Sequence, residues 1–438
     1  MRIVQLTPGT GTFFCGSCLR DDALVRQLRA RGHEAIMVPL YLPLVTDGED
    51  STEGTPIQVG GIRLYLQQKF PRLWWFIDFF RPFLDNPARL ARAARHMGMT
   101  SARDLGEMTR GSLRGESGHQ SHAWGELVDF IREEKPDLIS LSNGLLCGMV
   151  PIIERDLGIP VICSLQGEDA FLDALPEPYR TECWDVLREL APQVSQFVAA
   201  SEFYASGMRT RLGLEKGRIA VVPNGMDFSE YPARVELPDP PVIGFLARLI
   251  KDKGLDQIVD AFIELHRRGE VPEDTRLHLA GTVMSSDEKF IEVQRMKIEE
   301  AGLEDHFEVR RNLSFAEKTE FLGELSVLSV PATYGEAFGL YVIEALAVGV
   351  PVVQPEHGGF PEILARTDGG LLVEADSTKA LAEGLEALLC DPDRALELGL
   401  RGRQETLAYY SAERMAEDFE KICADSLKSV KAFTENPI

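Results

Sequence analysis

Two carboxylates and two cations in the C-terminal half are the groups best suited to do chemistry. Glu336 and Glu344 lie eight positions apart and bracket Phe338, Gly339 and Leu340. Carboxylates accept hydrogen bonds and so suit sugar hydroxyls. An apolar run over 325–331, read as a buried strand, turns here into an Ala/Leu-rich helix expected to start near 338 or 339. The start of a helix leaves backbone N–H groups unpaired and carries partial positive charge, which seats a phosphate. Gly339 lets a ligand come close to the backbone there. Helical side chains lean toward the N-terminus, so Glu344, in the second turn, reaches back toward the same mouth. Upstream, Arg248 and Lys253 fall where an apolar run over 242–247 gives way to the next helix. Arginine forks two phosphate oxygens and lysine adds a mobile point charge, so together they would neutralise much of a diphosphate. An anion seat flanked by hydroxyl acceptors describes a pocket for a sugar nucleotide. The plainer reading is a helix with two ordinary glutamates and a strand end with two exposed cations.

Alternating strands and helices must position these groups. Strands are expected over 2–7, 34–39, 137–142, 160–165, 196–200 and 218–222, with helices over 19–31, 123–135, 147–157 and 177–190 and another opening at Ser201. After a proline-rich acidic linker over 228–241, strands follow over 242–248, 276–280, 307–310, 350–354 and 370–373, around the central run at 325–331. Helices are expected over 255–268, 287–301, 315–322, 378–390 and 412–430. This order predicts an α/β chain with doubly wound parallel sheets, which bind ligands at the carboxyl ends of their strands.

Several motifs carry a family resemblance. They are Glu336-x7-Glu344 inside Glu336-Ala337-Phe338-Gly339-Leu340, Arg248-x4-Lys253-Gly254, Pro223-Asn224-Gly225-Met226-Asp227 and Gly358-Gly359-Phe360-Pro361-Glu362. Together they resemble the family 4 (group 1) retaining glycosyltransferases of the GT-B fold. The resemblance implies two Rossmann-like domains facing an interdomain cleft. An acceptor-side domain would span 1–235 and a donor-binding domain 236–408, with a terminal helix over 409–438 crossing back to the first. It implies that Glu336 holds the donor sugar and Glu344 the ribose. The diphosphate would lie on the amides of Gly339 and Leu340 beside Phe338, with Arg248 and Lys253 stabilising its departure and no metal required. It further implies donor contacts from the loop containing Gly16 and base contacts from Arg310 and Asn312. Many members carry a histidine where this chain has Gln166, and Gln cannot carry a proton. Gln166, Glu168 and Asp169 are the candidates for acceptor binding or the reaction centre, with loop and helix-capping roles as the alternative for the two acids.

Composition limits the rest. The 438 residues suggest two or three domains. A net charge of −23 argues against nucleic-acid binding. No apolar run reaches the length of a membrane span, and the first residues read as a strand rather than a signal peptide. Seven scattered cysteines fit a reduced, cytoplasmic setting. Cys15 and Cys18 read as small loop residues rather than half a metal site, and His119 and His122 as loop histidines. Asp391 and Asp393 read as a helix-start cap. The loop after the first strand is no dinucleotide fingerprint, because Phe14 stands where the third glycine belongs.

An aromatic and basic insertion over 66–120, with Trp74 and Trp75, interrupts the alternation. It is expected to pack on the first domain, and its alternative is to face an acceptor or the surface of an anionic membrane. Two rivals to sugar transfer are an epimerase or hydrolase of the same fold and an inactive sugar-nucleotide-binding protein.

Overall fold

The computed structural model describes residues 1–9, 16–42, 102–115, 121–234 and 236–435, with positions 57, 59, 60, 63, 66, 76, 79–84, 86 and 90 between them. The chain forms two compact units. One comprises Met1–Met226 with Ala412–Ile438, and the other Asp227–Ser411.

The first unit is built on six parallel strands: β1 (Arg2–Thr7), β2 (Glu34–Pro39), β3 (Leu138–Leu141), β4 (Val161–Leu165), β5 (Gln196–Ala199) and β6 (Ile219–Val221). Their order is β2-β1-β3-β4-β5-β6. β3 and β4 are buried along their whole length, as expected for strands with helices on both faces of the sheet. Ser201 caps the helix Glu202–Leu212 by accepting from Tyr204 N at 3.1 Å, the role its position suggested. The last helix, Ala412–Glu435, inserts Met415, Ala416, Phe419 and Cys423 among Leu24, Leu28, Met37 and Leu138 of this unit. Hydrophobic burial therefore joins it to strands that precede it by hundreds of residues in sequence.

The second unit carries β7 (Val242–Leu246), β8 (Arg276–Gly281), β9 (Phe307–Arg311), β10 (Val327–Leu328), β11 (Val352–Pro355) and β12 (Gly370–Val373). They are again all parallel, in the order β12-β11-β10-β7-β8-β9. Chain progression reverses between β7 and β10. In doubly wound sheets ligands bind outside the strand ends at such a switch point. The loops that follow β7 and β10 carry Arg248, Lys253, Glu336 and Gly339.

Some boundaries differ from expectation. β10 is only two residues long, although buried backbone bonds continue from Ser326 N to Val242 O at 2.8 Å and from Ser329 N to Gly244 O at 2.9 Å. Regular pairing stops where Val330 N turns to the Gln354 side chain and Pro331 has no N–H to offer. The division between units falls at 226/227, ahead of the proline-rich segment. Arg234 N donates to Val348 O at 2.8 Å and Tyr231 donates to Glu344 at 2.9 Å, which ties 227–234 to the second unit. The helix expected at 19 begins at Gly16. Asp391 accepts from Arg394 N at 3.1 Å as the cap of Pro392–Tyr409. Cys15, Trp74, Trp75 and His119 lie outside the described residues, as does most of the 66–120 segment. Cys18 is buried, with its sulfur 3.5 Å from Thr7 Oγ1. Among the described residues no helix is long and apolar enough to cross a membrane, and no His, Cys, Asp and Glu cluster could hold a metal.

Candidate active site

The loop after β7 is stitched to the loop after β10. A short turn, Lys251–Lys253, ends at Gly254, whose φ is 77°. A β-carbon at Gly254 would lie 1.9 Å from Pro331 O, so only glycine permits this approach. Next to it, Thr333 N donates to Asp252 O at 2.9 Å. These constraints carry Lys253 to the residues that open the central motif.

Lys253 Nζ donates to Glu336 Oε2 and to the Tyr334 hydroxyl. Two phenols donate to the same carboxylate oxygen, Tyr334 at 3.1 Å and Tyr341 at 3.0 Å. The ammonium also lies over both rings, 4.9 Å from the centroid of Tyr334 and 5.7 Å from that of Tyr341. The ion pair is partly buried, with side-chain exposures of 18% and 14%. Burial pulls the Lys253 pKa down, but the Glu336 carboxylate and the Tyr334 hydroxyl outweigh it and hold Lys253 above its ordinary value. Burial, followed by the Glu336 charge, pushes Tyr334 to about 12 and Tyr341 well above the usual phenol range.

Beside this cluster, Gly339 (φ 96°) is the residue that opens the helix Leu340–Val348, and among the described residues no side-chain cap hydrogen bond is made there. The first backbone N–H groups of such a helix start are groups that can receive an anion. Phe360 packs against Gly339, where a β-carbon would come within 2.8 Å of its ring.

Glu344 is 7% exposed. Its Oε1 accepts from Tyr231 at 2.9 Å and from Lys318 Nζ at 2.7 Å. Lys318 lies over the Phe315 ring and Tyr231 meets the same ring edge-on.

The two cations expected on one diphosphate have separate carboxylate partners. Arg248 makes a two-point contact with Asp287, Nε to Oδ2 at 3.0 Å and Nη2 to Oδ1 at 2.9 Å. Asp287 also accepts from Met284 N and Ser286 Oγ. Burial pushes the Asp287 carboxyl up, and these donors more than offset it and hold the pKa below the ordinary value.

Arg310 is clamped between Glu308 and Glu324, at 2.8 and 2.6 Å, and lies over Phe321. Asn312 has a φ of 53°, donates from its backbone to Gly281 O at 3.0 Å and accepts from Val283 N at 3.3 Å. It thereby fastens the loop after β9 to the loop after β8.

In the first unit, Glu168 opens a short helix, Glu168–Asp173, after β4. Both its oxygens are engaged: Oε1 accepts from Gly144 N at 2.5 Å, and Oε2 from Gln166 N at 2.6 Å and Tyr204 at 3.0 Å. Burial pushes the Glu168 carboxyl up against the pull of these donors. Tyr204 also donates to Asp169 at 3.0 Å. The Glu168 carboxylate stitches the loop after β3 to the loop after β4, a loop role and not a helix cap. Gly16 is the first residue of the helix Gly16–Ala30.

Sequence reasoning missed Tyr231, Asp287, Lys318, Tyr334 and Tyr341. The two tyrosines flanking Glu336 were visible at positions −2 and +5. Nothing in the sequence linked Lys318 or Asp287 to the motif, because the fold brings them in from other helices.

The second unit is thus a doubly wound α/β unit whose switch point gathers a helix start, the Lys253–Glu336 ion pair and the buried Glu344. Residues 227–405 match the family described as Glycosyl transferases group 1, and residues 104–230 that described as Glycosyltransferase Family 4. The chain is 32% identical over 243 residues to alpha-maltose-1-phosphate synthase of Mycolicibacterium smegmatis, a match spanning 50% of this chain and 60% of that relative. It is 31% identical over 273 residues to the GDP-mannose-dependent alpha-(1-6)-phosphatidylinositol monomannoside mannosyltransferase of the same organism, spanning 59% of this chain and 68% of the relative. The fold is similar to that of Anabaena Alr3699/HepE, solved in complex with UDP and glucose, with a TM-score of 0.68 at 15% identity over 97% of this chain and 100% of that one. The chain belongs to the family 4, group 1 glycosyltransferases.

Proposed function

We propose that the chain transfers a sugar from a nucleotide-diphosphate sugar to a hydroxyl of an acceptor, with retention at the anomeric carbon and without a metal. The observation that carries this reading is the Lys253–Glu336 pair beside the uncapped helix start at Gly339, at the switch point of the second sheet. The amides at Gly339 and Leu340 take the diphosphate, and Lys253 and Arg248 supply positive charge as it leaves. Glu336 accepts from the sugar's hydroxyls through Oε1, and Glu344 from the ribose through Oε2. In the reaction the bond from the anomeric carbon to the phosphate oxygen breaks and the bond to the acceptor oxygen forms on the same face. The acceptor proton passes to the departing diphosphate. Preorganised positive charge of this kind stabilises a leaving anion in a site largely screened from water.

The acceptor side belongs to the first unit, with Gln166 and Asp169 near the end of β4. Phe76, Phe79, Phe80 and Phe83 recur at helical spacing and are 42–78% exposed. With the surplus of Lys and Arg around them, they support contact of this segment with an anionic lipid surface in a cytoplasmic setting. A sedimentation assay with vesicles containing phosphatidylserine checks it: Phe79→Ser/Phe83→Ser is expected to abolish binding. For the donor, thermal shift and calorimetry with UDP, GDP, ADP and their glucose and mannose conjugates test the reading. One nucleotide is expected to bind and to release its sugar to an acceptor. Failure of every nucleotide to bind rejects the reading.

A further inference from the structure

Glu336 is held in an unusual way. Three donors converge on one of its oxygens, Oε2: the Lys253 ammonium, the Tyr334 hydroxyl and the Tyr341 hydroxyl. A carboxylate oxygen has about two lone-pair sites, so Oε2 is saturated and a ligand hydroxyl must address Oε1. The three donors are not equivalent. Lys253 is a mobile cation at an anion seat, and an arriving diphosphate competes with Glu336 for it. The phenols are neutral and do not follow the phosphate. The Tyr341 ring is fixed by packing: 9% exposed, it sits beside Gly339, 6.2 Å from Phe360 between ring centroids. Both phenols keep their protons through the neutral range, so each remains a donor.

We propose that Tyr334 and Tyr341 are positioning residues that grip Glu336 by Oε2, so that the carboxylate keeps its place and presents Oε1 to the donor sugar when Lys253 turns to the diphosphate. This rests on the donor-site reading above. It adds that the two hydroxyls act on the sugar half of the donor and not on its nucleotide half.

The test replaces hydroxyls and leaves rings. Tyr334→Phe, Tyr341→Phe and the double variant are compared with wild type by calorimetry, using UDP, GDP and ADP and then UDP-glucose, GDP-mannose and ADP-glucose. The variants are expected to bind the preferred bare nucleotide within about twofold of wild type. They are expected to bind its sugar conjugate about tenfold more weakly per hydroxyl removed, the size expected for a hydrogen bond to a charged group. In a Glu336→Gln background the same substitutions are expected to have at most a twofold further effect. Equal losses for nucleotide and conjugate, no loss for either, or full additivity with Glu336→Gln overturns the positioning role. Wild type that binds none of the six compounds rejects the donor site itself, and the positioning role with it. Tyr341→Phe, whose hydroxyl bonds Glu336 and not Lys253, decides the matter alone should the double variant not fold.

Discussion

Lys253 ties two loops of the second unit together. Its ammonium joins the loop after β7 to the carboxylate that opens the central motif. Lys253→Ala is expected to lower kcat by about 100-fold or more, the size seen when a preorganised charge is lost from a reaction centre. The two phenols still hold Glu336, so the thermal midpoint is expected to fall by only a few degrees. Steady-state kinetics beside a melting curve check the split, and near-normal turnover would contradict the role. Arg248 belongs with Asp287 as a unit, because two nitrogens of its guanidinium are already spent there. Asp287→Ala is expected to weaken nucleotide binding about tenfold by releasing a side chain whose direction Asp287 sets. An unchanged nucleotide affinity in that variant would remove Arg248 from the seat.

Two features of the elements make separate predictions. Gly254 occupies a left-handed turn against Pro331 O, with no room for a β-carbon. Gly254→Ala is expected to cost about 2 kcal/mol or more in urea unfolding and to abolish nucleotide binding, since the loops after β7 and β10 must part. Arg234 is the opposite case. Its backbone N–H bonds to the end of the helix Leu340–Val348, but its guanidinium is buried, and none of its three nitrogens has a hydrogen-bond partner among the described residues. Burial pulls its pKa down to about 10. A base with a depressed folded-state pKa costs stability fully below that value, and the cost fades only as pH rises from about 10 toward 12.5. Arg234→Met is therefore expected to raise stability at pH 7, by up to about 3 kcal/mol. A clear loss in urea titrations would reveal a partner for the charge.

On the scale of the molecule, one unit is continuous in sequence and the other is closed by the end of the chain. Asp227–Ser411 holds its own six-stranded sheet together with Arg248, Lys253, Glu336, Gly339 and Glu344. Expressed alone, it is expected to fold and to bind the nucleotide that the full chain binds. The first unit depends on its last helix, where Phe419 is fully buried. Phe419→Ala is expected to destabilise that unit by about 3–5 kcal/mol while leaving nucleotide affinity unchanged. A loss of nucleotide binding in step with that destabilisation would show that the two units do not behave separately.

The alternation of apolar runs and helical segments was enough to read doubly wound sheets, because parallel strands buried on both faces leave continuous Val, Ile and Leu stretches. The motif glutamates and the bare helix start were legible for a similar reason: their spacing is local, and a helix start presents the same backbone groups wherever it occurs. Only the folded chain decided which donors face those glutamates. Tyr231 and Lys318 reach Glu344, and Asp287 reaches Arg248, from other parts of the sequence, and the strand order that gathers them appears in no local pattern. Tertiary structure also decided that the prolines at 232–241 follow the boundary between units instead of marking it. Hydrogen bonds from Tyr231 and Arg234, set by distant partners, outweighed what local composition suggested.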